Sequence, residues 1–495
     1  MLDQMDLPAS VRIIAPAAIG LFLFYSIAST FIAWNRLRQF RGPWLASWSY
    51  LWLTHAVMKG AVPKLSEKAR KKYANGSPFI RIAPDMLQTD SPEVLRAINA
   101  VHSGYRKGDW YHSAKVDPDA TEVGIHDKIK GMAAGGYSGR EVPGLESDID
   151  GQIESLKRLI RSKYISTDDK VADALDVATS AQYFTVDALT KIAYGDAFGY
   201  LIEDDDIGGY IKTMQQGSVF AELCTEIPWI RAIFFSQTMT RWFGPKTTDK
   251  DGIGALMKAH SVRHGMTKRQ CEIEVLLQLI AGTDSTSNAI RNTLLCLVST
   301  PRAYQRLQKE IDDGIAGGTI SSPITFAEGK KLPYLQAVLF ESLRLFPSRV
   351  VPPAGDTLAG IFVPGGTHIA VNVPAIMQHE PTFGEHAEMF IPERFLTVSA
   401  DKRREMERVS DLNFGYGRYM CAGYTVAKME LNKIFVEVSI GLFFCLSTKY
   451  LSTQLLREFD FQIADPVNPC KQYQGILLSL EDLHMRVTYR DNIKQ

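Results

Sequence analysis

The chain has 495 residues, 45% of them hydrophobic, and its 55 basic side chains are matched by 55 acidic ones. That balance excludes the basic face a nucleic-acid binder presents. Six cysteines, at 224, 271, 296, 421, 445 and 470, show no CxxC spacing, which excludes a zinc ribbon or a disulfide-dense scaffold and fits reduced thiols facing the cytosol.

The first element is apolar. From Ile13 to Trp34, a span of 22, no residue is charged. At 1.5 Å per residue one helix of that length crosses a ~30 Å hydrocarbon layer. Trp34 falls at an interface position, and Arg36, Arg38 and Arg41 follow at once. The positive-inside rule then places the C-terminal body in the cytoplasm. A cleaved signal peptide would carry a shorter apolar core, ~7–15 residues, before a small-residue cleavage site. Residues 35–48 read as a basic and aromatic linker containing Gly42-Pro43, and 49–495 as the body.

In the body, Phe79-Ile80-Arg81-Ile82-Ala83 alternates and predicts a strand. Residues 105–140 lack periodicity, whereas 170–200 read as helices. The stretch 200–250 is apolar around Phe220, Trp229, Phe234 and Phe235. Thr267-Lys268-Arg269-Gln270 is a capping box, and no proline follows until Pro301. A helix filling that interval is ~50 Å long. Ala281-Gly282 lies in its middle, where a glycine costs roughly 1 kcal/mol, so the small pair is expected to leave room for a ligand. Leu279, Ile280 and Ala281 lead into Asp284, with a hydroxyl beside it at Ser285. Pro333 and Pro347 bracket a shorter helix in which Glu341 and Arg344 are three apart, so their side chains meet. Short β-rich pieces fill 350–369, and 401–408 is a charged helix containing Lys402-Arg403-Arg404.

Cys421 sits in the run Phe414-Gly415-Tyr416-Gly417-Arg418-Tyr419-Met420-Cys421-Ala422-Gly423, followed by helix-forming residues from Tyr424 to Phe435. A thiol at the mouth of a helix has its anion stabilised by the free N–H groups there. A thiolate so placed can hold a haem iron, and its electron donation favours O–O cleavage. Glycines let backbone approach a flat macrocycle. Taken alone, the run is also compatible with an inert buried cysteine in a glycine turn.

The order Phe, two residues, Gly, three residues, Cys, one residue, Gly resembles the haem-binding loop of the cytochrome P450 family. Ala281-Gly282-Thr283-Asp284-Ser285-Thr286 resembles that family's oxygen-activating segment, Glu341-Ser342-Leu343-Arg344 its Glu-x-x-Arg pair, and Pro392-Glu393-Arg394-Phe395 its Pro-Glu-Arg-Phe element. The four occur in the family's order, and the resemblance extends from about residue 50 to 490. It implies a mainly α fold with a small β-sheet region behind an N-terminal transmembrane helix. It implies haem b, with Cys421 as axial thiolate, Phe414 packed beside the sulfur, Gly417 turning the loop, and Ala281 and Gly282 against the cofactor. The family commonly has Arg or His two residues before the cysteine, on a haem propionate. Tyr419 stands there and Arg418 one residue earlier, which leaves open which makes that contact; Lys130 is a further propionate candidate.

By the same resemblance Asp284 and Ser285 relay the protons that oxygen reduction consumes. Ser285 replaces the usual threonine; it keeps the hydroxyl and loses the methyl that stiffens the rotamer. Thr286 is the competing hydroxyl. Glu341, Arg344 and Arg394 form a buried structural network. Leu277, Ile280, Val350, Val351, Ile476 and Leu477 line an apolar pocket, and 200–250 roofs it and touches the membrane. Lys402–Arg404 is either a docking patch for a reductase or a solvated charged face.

The expectation is a haem-thiolate monooxygenase of the fungal microsomal type. It inserts one atom of O₂ into a lipophilic small molecule in secondary metabolism, as in terpenoid, polyketide or alkaloid tailoring. Electrons come from NADPH through a separate reductase, and the chain is a single-pass protein of the endoplasmic reticulum membrane with a cytoplasmic catalytic domain. A same-fold isomerase or dehydratase would not need Asp284 and Ser285. A haem carrier or sensor would consume no NADPH.

Overall fold

The computed structural model describes residues 27–100, 144–167, 170–234, 268–345, 356–365, 367–437, 459–474 and 478–489, with a few isolated positions besides. Lys130, Phe235, Val350, Val351, Ile476 and Leu477, and half of the expected 13–34 span, lie outside the described residues. Among the described residues no helix is long and apolar enough to cross a membrane. A helix does cover 27–36, and the segment after it is packed, with Leu37 and Phe40 buried.

That segment runs along strand β1 (Phe79–Ala83), where the sequence predicts a strand. The Arg81 amide donates to the Arg41 carbonyl at 2.9 Å. A Cβ on Gly42 would stand 2.0 Å from the Arg81 carbonyl oxygen, so no other residue fits there. β1 pairs antiparallel with β2 (Met86–Thr89), and β2 pairs parallel with β3 (His368–Val371). This small sheet forms its own core with Leu37, Phe40, Phe79, Leu87, Ile369 and Val371.

The larger core is helical. Its elements are α1 (Leu145–Leu159), α2 (Val177–Tyr194), α3 (Tyr210–Glu226), α4 (Lys268–Val298), α5 (Pro301–Ala316), α6 (Pro333–Leu345) and α8 (Tyr424–Glu437), whereas α7 (Ala400–Ser410) puts Met406 and Val409 into the core of the small sheet. Asp176 caps α2 through the Ala178 amide, and Gly195, at φ +86°, ends it. α5 starts on a proline and buries Ala303, Leu307 and Ile311, a four-residue spacing that gives one apolar face. Strands β4 (Phe459–Ile463) and β5 (His484–Tyr489) pair antiparallel and close the other side of this core. α4 has 31 residues, about 46 Å at 1.5 Å each, and packs along α2 and against α6 and α8.

Candidate active site

The cysteine loop is shaped by its backbone. Two 3₁₀ turns, Asp411–Phe414 and Gly417–Tyr419, flank Gly415. Gly415 and Gly417 take φ of +81° and +57°, in the left-handed region that side chains disfavour. A Cβ on Gly415 would also stand 2.7 Å from the Tyr419 carbonyl oxygen. The Cys421 amide donates to the Phe414 carbonyl at 2.6 Å and closes the loop. Ala427 N–H donates to Gly423 O at 3.0 Å in the first turn of α8, so the thiol precedes a helix N-terminus.

Cys421 is free and partly exposed. Burial pushes up the thiols of Cys224, Cys470 and Cys296, the last to about 12. A thiol that stays protonated is a poor metal ligand. The donor type, its half-open setting and the closely approaching glycine backbone therefore fit a haem iron. Phe414 meets the Tyr424 ring edge-on at 4.9 Å. Lys428, which sequence reasoning missed, lies 4.2 Å over Phe340 and 5.5 Å over Phe414, and pairs with Asp411 at 3.3 Å. Burial lowers the Lys428 pKa and Asp411 opposes that. The Tyr419 hydroxyl donates to the Tyr105 carbonyl at 3.4 Å.

The middle of α4 supplies the opposite kind of surface. Successive residues on a helix point about 100° apart, and here three of them reach three different places. Asp284 turns to α2 and accepts from Gln182 Nε2 at 2.6 Å. Burial raises its pKa, against the pull of Arg291 and Gln182. Ser285 is partly exposed, with its Oγ donating to the Ala281 carbonyl at 2.7 Å. Ala281, one turn earlier on the same side, is exposed. Thr286 is buried and hydrogen-bonded to Glu430 of α8. Of the two competing hydroxyls, Ser285 is thus the open one and Thr286 ties helices together.

Glu430 is fully buried, and that burial pushes its pKa up to about 8, with Thr286 pulling it down. Neither Gln182 nor Glu430 was a sequence candidate. At Gly282 a Cβ would meet Leu189 Cδ1 of α2 at 2.7 Å, so the missing side chain lets α4 and α2 pack closely, a packing reason the sequence reading did not give.

The predicted charge network exists and is buried. Glu341 takes Arg344 at 2.9 and 2.7 Å through both oxygens, Arg394 Nε at 2.9 Å and the Ile391 amide at 2.9 Å. The Arg344 guanidinium also reaches the carbonyls of Met377, Ala387 and Met389. Arg394 reaches those of Phe383 and His386. Asn413 donates to the Leu343 carbonyl at 3.3 Å and so ties the cysteine loop to α6.

The Lys402–Arg404 run is largely neutralised by its own helix. Lys402 pairs with Glu405 at 3.1 Å, Arg403 with Glu407 at 2.8 Å, and Arg404 with Asp401. The solvated-face reading accounts for these pairs.

Residues 235–438 match the family model for cytochrome P450. The chain is 38% identical to cytochrome P450 monooxygenase ABA1 of Pyricularia oryzae, covering 94% of this chain and 95% of that protein. It is 37% identical to cytochrome P450 monooxygenase aba1 of Botryotinia fuckeliana, covering 88% of each, and 33% identical to abl1 of Leptosphaeria maculans, covering 92% and 84%. In fold it is similar to the crystal structure of the cytochrome P450DA heme domain, with a TM-score of 0.63 at 15% identity over 89% of this chain and 96% of that one.

Proposed function

Because the chain belongs to the cytochrome P450 family and is a haem-thiolate monooxygenase, we propose that Cys421 is its iron ligand and that Asp284 and Ser285 are its proton-handling pair. The haem, when bound, supplies the redox centre at which O₂ is reduced. The chain's own residues do the rest. Cys421 presents its sulfur from a loop whose glycines keep side chains away. Phe414, fixed by Tyr424 and Lys428, screens that sulfur from water. Gln182 holds the Asp284 carboxylate, and burial favours its protonated form. Ser285 parks its hydroxyl proton on the Ala281 carbonyl; turning Oγ outward frees it to accept a proton and pass it on. The observation that carries this reading is the fan of Asp284, Ser285 and Thr286, which leaves one open hydroxyl beside one half-buried acid.

The substrate is a lipophilic small molecule of fungal secondary metabolism, and the electron donor an NADPH-dependent reductase. Residues 13–34 anchor the chain in the endoplasmic reticulum membrane with the catalytic body on the cytoplasmic side. The exposed apolar side chains of Phe220, Trp229, Ile233 and Phe234 support a membrane-facing surface. Ile227, from the same stretch, packs with Leu53 and Val57, which sit on the helix that follows the linker. The test is turnover with reductase, NADPH and ¹⁸O₂ on a lipophilic extract of the producing fungus. A product gaining one ¹⁸O is expected; NADPH consumption at background would sink the reading.

A further inference from the structure

A second recess lies away from the cysteine loop. It is a cleft of about 330 Å³ between Trp34, Arg38, Arg41, Trp44, Trp48 and Tyr73, with Arg81 also lining it. No residue of the site described above lines it. That volume is at the small end of ligand sites, right for a headgroup and too small for a whole lipid. Trp34 and Trp48 stack with centroids 5.1 Å apart and planes 11° from parallel. Trp44 is 75% exposed. Arg38 and Arg41 are exposed and have no ion pair among the described residues.

Arg81 is the unusual member. Its side chain is buried, and its guanidinium donates to the carbonyls of Trp34 at 3.2 Å, Ala33 at 3.0 Å, Ala83 at 3.3 Å and Pro84. Those partners are dipoles, so no hydrogen-bonded carboxylate cancels its charge. Burial lowers its pKa to about 10, which leaves it protonated at neutral pH. The cleft therefore has three cations, two of them uncommitted, and three indole rings. It sits at the C-terminal end of the apolar N-terminal stretch, where a membrane surface would lie.

We propose that this cleft binds the phosphate headgroup of an anionic membrane phospholipid. Arg38 and Arg41 meet the phosphate, since a guanidinium matches phosphate oxygens in a fork. The indoles sit at the glycerol level, where tryptophan is favoured. The proposal rests on the membrane-anchor reading of residues 13–34.

The test uses the full holoenzyme in phosphatidylcholine vesicles carrying a minority of dansyl-labelled phosphatidic acid or dansyl-labelled phosphatidylcholine. Tryptophan-to-dansyl energy transfer reports which lipid sits beside the indoles. A basic residue near an anionic surface changes affinity about fivefold, so transfer to the acidic lipid should exceed transfer to the zwitterionic one severalfold. Arg38→Gln with Arg41→Gln should remove that excess. Lys64→Gln with Lys68→Gln, the same charge change on exposed residues of a nearby helix, should leave it. Equal transfer from both labels, or an excess that survives the arginine variant or falls equally in the lysine variant, overturns the proposal. Short-chain phosphatidic acid should compete far more strongly than inorganic phosphate; equal competition would mean a soluble phosphate site and overturn the lipid assignment. A chain released from the vesicles by carbonate overturns the anchor reading and this proposal with it. A chain that stays but shows no excess overturns the cleft alone.

Discussion

The cysteine loop and the central turn of α4, the two halves of the proposed site, are built by opposite means. In the loop the information is in the backbone: two left-handed glycines, one of them without room for a Cβ, and a 2.6 Å bond from Cys421 N to Phe414 O. In α4 the backbone is ordinary helix, and the information is in where three neighbouring side chains go. A regular helix accepts most substitutions, whereas a left-handed glycine pressed on a carbonyl accepts none. The loop should therefore fail all at once and the helix turn by degrees.

The largest effect is expected in the loop. Cys421→Ala removes the proposed ligand, and Gly415→Val forces a strained φ and a clash with Tyr419 O. Both should lose the strongly red-shifted Soret band of the reduced carbon-monoxide complex. A surviving band in Gly415→Val would break the contrast, because the loop would then tolerate what its geometry forbids. Next comes the support beneath it. Glu341→Gln leaves two buried guanidinium groups without their carboxylate, a loss of about 3–5 kcal/mol. Thermal unfolding should drop steeply and haem content with it; an unchanged midpoint would show the network is dispensable.

In α4 the effects are graded. General acid steps contribute ~10²–10⁴-fold, so Asp284→Asn should slow NADPH use and product formation together. Ser285→Ala should keep NADPH use and divert it to hydrogen peroxide. Thr286→Ala should retain coupling, because its hydroxyl is engaged with Glu430. The reverse pattern for Ser285 and Thr286 would mean the open hydroxyl is not the working one.

Glu430 sharpens the same point through pH. Its folded pKa, about 8, lies above the ordinary 4.5. Between those values the unfolded chain releases a proton that the folded one keeps, so the contribution to stability falls as pH rises, by up to about 1.4 kcal/mol per pH unit. Glu430→Gln should flatten that part of the curve, and an identical pH dependence of the two unfolding midpoints would refute the buried neutral acid. The smallest effect belongs to the exposed pairs of α7. Lys402→Gln should change stability by only ~0–1 kcal/mol; a larger loss would show that its bond to the Pro381 carbonyl matters.

Local signals made much of this legible. β1, α6 and the cysteine loop each carry their pattern within a dozen residues. The acids that neutralise Lys402–Arg404 were also visible, three and four positions away on the same helix. What the sequence hid is what the chain brings together from afar. Gln182 is 102 residues from Asp284, and Glu430 meets Thr286 only because α8 packs on α4. Gly282 shows the limit best: a sequence reveals a missing side chain, not that Leu189 of another helix takes its place.

The Glu341 network has a dynamic consequence. The carbonyls of Met377, Phe383, His386, Ala387 and Met389 all end on two guanidinium groups. Few of these carbonyls belong to a long helix or a strand, so two side chains do for this segment what a ladder does elsewhere. Such a segment cannot fray residue by residue, because withdrawing one arginine frees several carbonyls at once. Residues 377–394 and the end of α6 should exchange their amide hydrogens as one cooperative unit, opening together or staying closed together.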